Sequence, residues 1–93
     1  MRYLIVTTRL FRKHFRRVIR QGKNQQKIEE IFDRLALREA MPGHYKIHKL
    51  KGEYEGYFEL HIEPDLLLVY AYEDELLILD LINIGSHSEL FGK

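Results

Sequence analysis

The chain has 93 residues, enough for one domain, and its 45% apolar content favours a folded globular protein over a disordered one. It contains no cysteine, which excludes disulfides and thiolate metal sites. The formal net charge of +1 hides a strong asymmetry, since nine of the fifteen basic residues and none of the fourteen acidic residues lie within residues 1–28. This asymmetry indicates an anionic partner, nucleic acid above all, although a basic helix beside an acidic sheet would give the same pattern.

The apolar run at the start of the chain is too short for a signal peptide, and no later stretch approaches the length of a membrane span. The sequence therefore predicts a cytoplasmic protein that has no membrane contact. It also predicts a single domain over residues 1–93, because this length leaves no room for a second core.

A short β-branched run at Tyr3–Thr7 predicts the first strand, and Thr7 or Thr8 can cap a helix that follows it. That helix has basic residues on one face and an apolar stripe on the other. The predicted stripe consists of Leu10, Phe11, Phe15, Val18 and Ile19. Gly22 is expected to end the helix.

A second helix is predicted after Asn24, which can cap it, and before Pro42. Its apolar residues recur with the spacing of one helical face. They are Ile28, Ile31, Phe32 and Leu35. The two helices would form a hairpin whose apolar faces need a sheet to cover.

Four runs in the second half predict strands, at His44–Leu50, Tyr57–Ile62, Leu66–Tyr72 and Leu76–Ile84. The connections between them are short, which favours antiparallel hairpins. The predicted order is β-α-α-β-β-β-β, an α+β domain with a helical hairpin on one face of a curled, mainly antiparallel sheet.

Alternation along the second of these strands separates two sets of side chains. Phe58, Leu60 and Ile62 should face the helices, while Tyr57, Glu59, His61 and Glu63 should lie on the open face of the sheet. The side on which His48 lies is left open, because alternation in its strand is poor. Asp65 follows Pro64 in a turn, close in sequence to His61.

Gly85 is expected to end the last strand and to place Ser86, His87 and Ser88 on a loop at the edge of the sheet. Phe91 has two interpretations. It could hold the tail onto the domain together with Leu90, or it could stack against a nucleic-acid base beside His87.

The histidines could serve several chemistries. His48, His61, His87 and Asp65 are possible metal ligands by type, but no two have the close spacing of a dedicated site, so we predict no metal and no cofactor. There is no glycine-rich phosphate loop and no nucleophile elbow. General acid–base chemistry remains, and RNA cleavage suits it, because the 2′-OH of the substrate is itself the nucleophile.

Two segments carry a family resemblance. HKLKGEYEGYFELHIEPDLLLVY, followed by GSHSELFG, resembles the YafQ branch of the RelE-type toxins from bacterial toxin–antitoxin pairs. Members read H-x-L-x-G, then G-Y-R, H-x-E-P-D-W-x-L-x-Y and G-[ST]-H-x-x-L-F. The match covers about half of the chain, from His44 onward, and the first half is similar only in pattern.

The resemblance implies the RelE-like fold and a ribosome-dependent mRNA endoribonuclease that cleaves the codon in the ribosomal A site by 2′-OH attack. It also implies a cognate antitoxin as protein partner, and the ribosome with its RNA and mRNA as targets.

The resemblance implies a site as well. The predicted catalytic residues are His48, His61, Asp65 and His87. His87 would be the general acid. The general base would be His61, or Asp65 acting on His61, and His48 would stabilise the charge of the phosphate. Phe91, Glu59 and Tyr54 are expected to contact the substrate. The predicted contacts to ribosomal RNA or antitoxin are Arg9, Arg12, Lys13, Arg16, Arg17 and Arg20.

Three positions depart from the pattern. Leu66 and Tyr54 stand where relatives often have Trp, and Phe58 stands where they often have Arg. The missing aromatic ring at Leu66 bears on codon preference, and Phe58 lacks the phosphate contact of an Arg, which would lower activity. Two alternatives remain, a non-catalytic or gyrase-targeting protein on the same scaffold, as in the ParE-type toxins, and a degenerate homologue that only binds an antitoxin.

Overall fold

The computed structural model describes residues 1–92 of the chain. The N-terminal elements are a strand, β1 (Leu4–Thr7), and two helices, α1 (Arg9–Arg20) and α2 (Gln25–Ala36). The side chain of Thr8 caps α1 by accepting from Phe11 N, and that of Asn24 caps α2 by accepting from Lys27 N. Both caps use the residues that the sequence offered for them.

The C-terminal elements are four strands and a short helix. They are β2 (His48–Lys49), β3 (Phe58–Glu63), β4 (Leu66–Glu73), β5 (Ile78–Gly85) and α3 (His87–Phe91). Single 3₁₀ turns lie at 43–45 before β2, at 52–54 between β2 and β3, and at 74–76 between β4 and β5. The predicted first strand of this half is reduced to two residues, because a 3₁₀ turn takes up its start and Lys46 adopts a left-handed φ of 50°.

The strands form one sheet in the order β1-β5-β4-β3-β2. β1 runs parallel to β5, and the other neighbours are antiparallel. The predicted α+β class and mainly antiparallel sheet are therefore confirmed. No helix within residues 1–92 is long and apolar enough to cross a membrane.

The main core lies between the two long helices and one face of the sheet. Phe11 and Val18 from α1 and Phe32 from α2 pack there against Leu60 and Leu81 from the sheet. Leu10 does not belong to it: its side chain is 47% exposed, so its place in the predicted apolar stripe was wrong.

The other face of the sheet is not open, contrary to the sequence prediction. α3 packs across it, and Leu90 joins Leu67 and Val69 in a second, smaller core. Glu59, expected on an open face, is only 5% exposed. α3 also replaces the predicted loop at Ser86–Ser88, and the signal for it was the Ser-x-x-Glu pattern of a capping box, Ser86 to Glu89.

Candidate catalytic site

A buried carboxylate lies between two histidines on neighbouring strands. The β2–β3 register pairs His48 with Glu59, and His48 Nε2 lies 3.3 Å from Glu59 Oε1. His61, two residues further along β3, places its Nε2 3.9 Å from the same oxygen. Because side chains two residues apart share a face of the strand, alternation alone brings Glu59 and His61 together, and pairing adds His48.

His87 is the first residue of α3, and Asp65 in the β3–β4 turn holds it. The backbone N–H of His87 donates to Asp65 Oδ1 at 2.9 Å, and the ring Nδ1 lies 2.7 Å from the same oxygen. The backbone N–H of His87, and then its ring, hold the pKa of Asp65 below its usual range. An ionised Asp65 accepts a hydrogen from Nδ1, which leaves Nε2 of His87 available to a substrate.

The three imidazole rings form one cluster. The ring centroids of His48 and His61 are 6.2 Å apart, and those of His61 and His87 are 5.8 Å apart. Nδ1 of His61 is shielded from solvent and has no hydrogen-bond partner within residues 1–92. The arrangement presents several proton donors and acceptors to one region, which is what acid–base transfer at a single phosphate requires.

The partner of Asp65 differs from the sequence prediction. Closeness in the chain suggested that Asp65 acts on His61, whereas the structure pairs Asp65 with His87 and gives His61 to Glu59. The β3–β4 ladder shifts register between His61 and Glu63, next to this turn. The Asp65–His87 pair is therefore set by the turn and by α3, neither of which strand alternation reveals.

The same cluster contains a possible metal site. Glu59, His61 and His87 each offer one ligand atom, and these atoms lie within 4.8 Å of one another. Two imidazole nitrogens and a carboxylate oxygen are ligands typical of Zn²⁺ and Cu²⁺. Spacing along the sequence gives no sign of this set, because its members come from β3 and α3.

The predicted substrate-contacting aromatics also meet. The rings of Tyr54 and Phe91 are 5.4 Å apart in an edge-to-face arrangement. Phe91 packs against the second core, so it holds α3 to the sheet while part of its surface stays exposed. Both interpretations of Phe91 are compatible with this position.

Most of the predicted basic contacts lie on the solvent side of α1. Arg9, Arg12, Lys13, Arg16 and Arg20 are exposed. Arg17 is different, because its side chain is 33% exposed and its guanidinium forms an ion pair with Glu89 of α3. Arg12 donates to the carbonyl of Thr7 at 2.8 Å.

Comparison with known proteins identifies the family of this chain. The model of the family described as "Bacterial toxin of type II toxin-antitoxin system, YafQ" matches residues 3–92. This chain belongs to the YafQ toxin family. The resemblance seen from His44 onward thus extends through the first strand and both long helices.

Individual YafQ-family relatives agree in sequence and in fold. The mRNA interferase toxin YafQ of Escherichia coli K12 is 42% identical over 52 residues, 56% of this chain and 54% of that protein. The chain spans about half the length of the curated relatives it matches. A metal-bound toxin from Helicobacter pylori is 35% identical with a TM-score of 0.90, covering 96% of this chain and 99% of that one. The E. coli DinJ–YafQ toxin–antitoxin complex matches with 28% identity and a TM-score of 0.87, covering 99% and 100%.

Proposed function

We propose that this YafQ-family chain is a ribosome-dependent mRNA endoribonuclease, the toxin of a type II toxin–antitoxin pair that acts in the cytoplasm. The observation that carries the proposal is the convergence of His48, His61 and His87 with two carboxylates. The E. coli relative is named an mRNA interferase, and the proposal gives this chain the same reaction.

The proposed reaction needs no nucleophile from the protein. The 2′-oxygen of the substrate attacks the adjacent phosphorus while His61, beside the buried Glu59, accepts the proton of the 2′-OH. The 5′-oxygen leaves and takes a proton from Nε2 of His87, giving a 2′,3′-cyclic phosphate and a 5′-OH. His48, whose ring centroid lies 6.2 Å from that of His61, would stabilise negative charge on the phosphorane.

Asp65 supports the acid in this scheme. Its carboxylate fixes the ring of His87 through Nδ1 and places a negative charge beside it, as the Asp of a serine protease does beside the catalytic histidine. The lowered pKa of Asp65 keeps that charge in place at neutral pH. Assigning Asp65 to the acid replaces the sequence-based idea that it acts on the base.

The proposed partners are a cognate antitoxin and the ribosome. A relative of known structure was solved as a toxin–antitoxin complex. The exposed cations of α1 suit ribosomal RNA, and they equally suit an acidic antitoxin segment that would compete for the same charges. Binding to either partner would use the solvent side of α1.

A non-catalytic or gyrase-targeting role explains fewer of the contacts between the histidines and the carboxylates. Neither activity requires three imidazoles within reach of one another, nor a carboxylate that fixes the ring of His87. An antitoxin-binding homologue without activity would have no need to keep this arrangement.

The test is primer-extension mapping of a translated message incubated with purified protein, with and without ribosomes. His87→Ala is compared with wild type, and His44→Ala is the control, because His44 is an exposed histidine outside the cluster. We expect cuts within A-site codons only when ribosomes are present, abolished in His87→Ala and retained in His44→Ala. Cuts in the absence of ribosomes would overturn the ribosome as the proposed partner. If the folded wild type makes no cuts at all, the proposed endoribonuclease activity is overturned.

Metal binding is a second candidate function of the same cluster. Glu59, His61 and His87 fit a borderline transition metal, and two Helicobacter pylori relatives are described as metal-bound and copper-bound toxins. A bound ion would occupy the groups that exchange protons and would inhibit cleavage. Titration calorimetry with Zn²⁺ and Cu²⁺ tests this, with heat expected from wild type and much less from Glu59→Gln. Equal heats from both proteins would place the ion elsewhere.

A further inference from the structure

Arg17 occupies an unusual position for a residue of a basic helix. Its Nη2 lies 3.1 Å from Glu89 Oε2, without the alignment of a hydrogen bond. Nε and Nη2 are both shielded from solvent and have no hydrogen-bond partner within residues 1–92. Buried donors without partners are rare and costly, so a guanidinium kept in this position needs a reason other than solubility.

Glu89 connects this arginine to the start of α3. One carboxylate oxygen, Oε2, faces Arg17, and the other, Oε1, accepts from Ser86 N at 2.8 Å. Ser86 Oγ in turn accepts from Glu89 N at 3.1 Å, which completes a capping box. The Ser86 backbone N–H and then Arg17 are among the groups that hold the pKa of Glu89 below its usual range.

The capping box lies directly next to the proposed acid. His87 follows Ser86 in the chain, and its backbone N–H and ring both contact Asp65. α3 has only five residues, and so short a helix does not form without external support. Its position therefore depends on the packing of Leu90, on the capping box and on the anchor from α1.

The backbone beneath Glu89 is shaped for this contact. A Cβ on Gly85 would lie 2.8 Å from Glu89 Oε1 and 3.6 Å from Arg17 Nη2, and the φ of Gly85 is +157°. Only glycine lets the carboxylate cross the end of β5 this closely. Gly85, Glu89 and Arg17 thus form one unit that joins three elements.

We propose that Arg17 is a positioning residue for His87, acting through Glu89 and the capping box of α3. The inference rests on the proposed function, since it concerns the acid of the same site. Arg17 contacts no substrate in this scheme. It fixes the angle of α3 and so the place of the His87 ring, and a displacement of about 1 Å in a proton donor can cost up to a hundredfold in rate.

The chain offers a matched control for an ordinary ion pair. Arg34 Nε lies 3.1 Å from Glu39 Oε1, with side-chain exposures of 37% and 45% against 33% and 32% for Arg17 and Glu89. The Arg34–Glu39 pair joins α2 to the residues just after it and lies outside the proposed site. Removing either arginine changes the net charge equally.

The experiment measures kcat and KM for cleavage of ribosome-bound mRNA by Arg17→Met, Glu89→Gln and the double variant, with Arg34→Met as control. We expect Arg17→Met to lower kcat about tenfold with KM little changed, and Arg17→Lys to recover part of the loss. The double variant should be no worse than the poorer single one, because both changes break the same link. Additive losses, or an Arg17→Met kcat equal to that of Arg34→Met, would overturn the proposal.

Amide hydrogen exchange separates this inference from the proposed function, because it needs no activity. Arg17→Met should accelerate exchange at the amides of Ser86 and His87, which donate to Glu89 and Asp65, while Arg34→Met should leave both unchanged. Unchanged exchange in Arg17→Met contradicts the inference even if the enzyme is active. If exchange is accelerated in Arg17→Met but the wild-type protein cleaves no RNA, the inference is supported and only the proposed function is overturned.

Discussion

Asp65 Oδ1 contacts His87 at two points, the backbone N–H at 2.9 Å and the ring Nδ1 at 2.7 Å. One oxygen thereby fixes both the start of α3 and the orientation of its first side chain. The two residues are 22 positions apart in the chain. They meet because the start of β4, just after the β3–β4 turn, pairs with the end of β5.

Asp65→Asn should flatten the dependence of stability on pH. The folded-state pKa of Asp65 is lowered, so its contribution is present above the ordinary value of about 4 and disappears as pH falls through the folded value. Urea midpoints of wild type and variant, followed by tyrosine fluorescence, should differ at pH 7 and converge near pH 2. A difference that stays constant across this range would show that the charge of Asp65 is not the cause.

Gly85→Ala should disturb the site far more than its size suggests. The new Cβ would meet Glu89 Oε1 at 2.8 Å and force the capping box to move. We expect a loss of about 1–3 kcal/mol in unfolding free energy, as for an overpacked site, and a lower cleavage rate. Gly43→Ala is the control, because a Cβ there has nothing within 4 Å. Equal stability of the two variants would mean that α3 adjusts without strain.

Leu60→Ala should cost about 2–5 kcal/mol of unfolding free energy, since Leu60 is fully buried in the main core. Leu10→Ala, by contrast, should change it by no more than about 0.5 kcal/mol, because Leu10 is 47% exposed. Urea denaturation measures both. A large loss of unfolding free energy in Leu10→Ala would show that Leu10 does pack within the apolar stripe, as the sequence predicted.

Replacing Arg9, Arg16 and Arg20 together with Gln should weaken ribosome binding more at low salt than at high salt. All three side chains are exposed on α1. The slope of log affinity against log salt should fall by about one for each phosphate that the variant no longer neutralises. Replacement with Lys at the same positions keeps the charge and should keep most of the slope. If the Gln variant binds more weakly by the same factor at every salt concentration, the interaction is not electrostatic.

The sequence predicted the elements well where local chemistry decides them. Thr8 and Asn24 carry cap side chains, and the spacing of Phe11, Val18 and Phe32 follows a helical face. Leu10 shows the limit of such a pattern, because it is exposed although it is apolar. Whether a residue at the margin of an apolar stripe is buried depends on which elements pack beside it.

The sequence indicated which side chains would lie together, but not how they would pair. Motifs identified the histidines and Asp65, but the partner of Asp65 and the burial of Glu59 depend on α3 crossing the outer face of the sheet. The ion pair between Arg17 and Glu89 could not be predicted either, because Arg17 lies among many basic residues of one helix and nothing in the sequence marks Glu89 as its partner. Contacts between distant parts of the chain leave little trace in local periodicity.

The parallel pairing of β1 with β5 bears on the order in which the protein is synthesised. Leu4 and its neighbours can join the sheet only after Ile78 and the residues beyond it have left the ribosome. His87 comes two residues after the end of β5. A nascent chain therefore has neither a complete sheet nor a complete cluster of histidines and carboxylates until α3 has emerged.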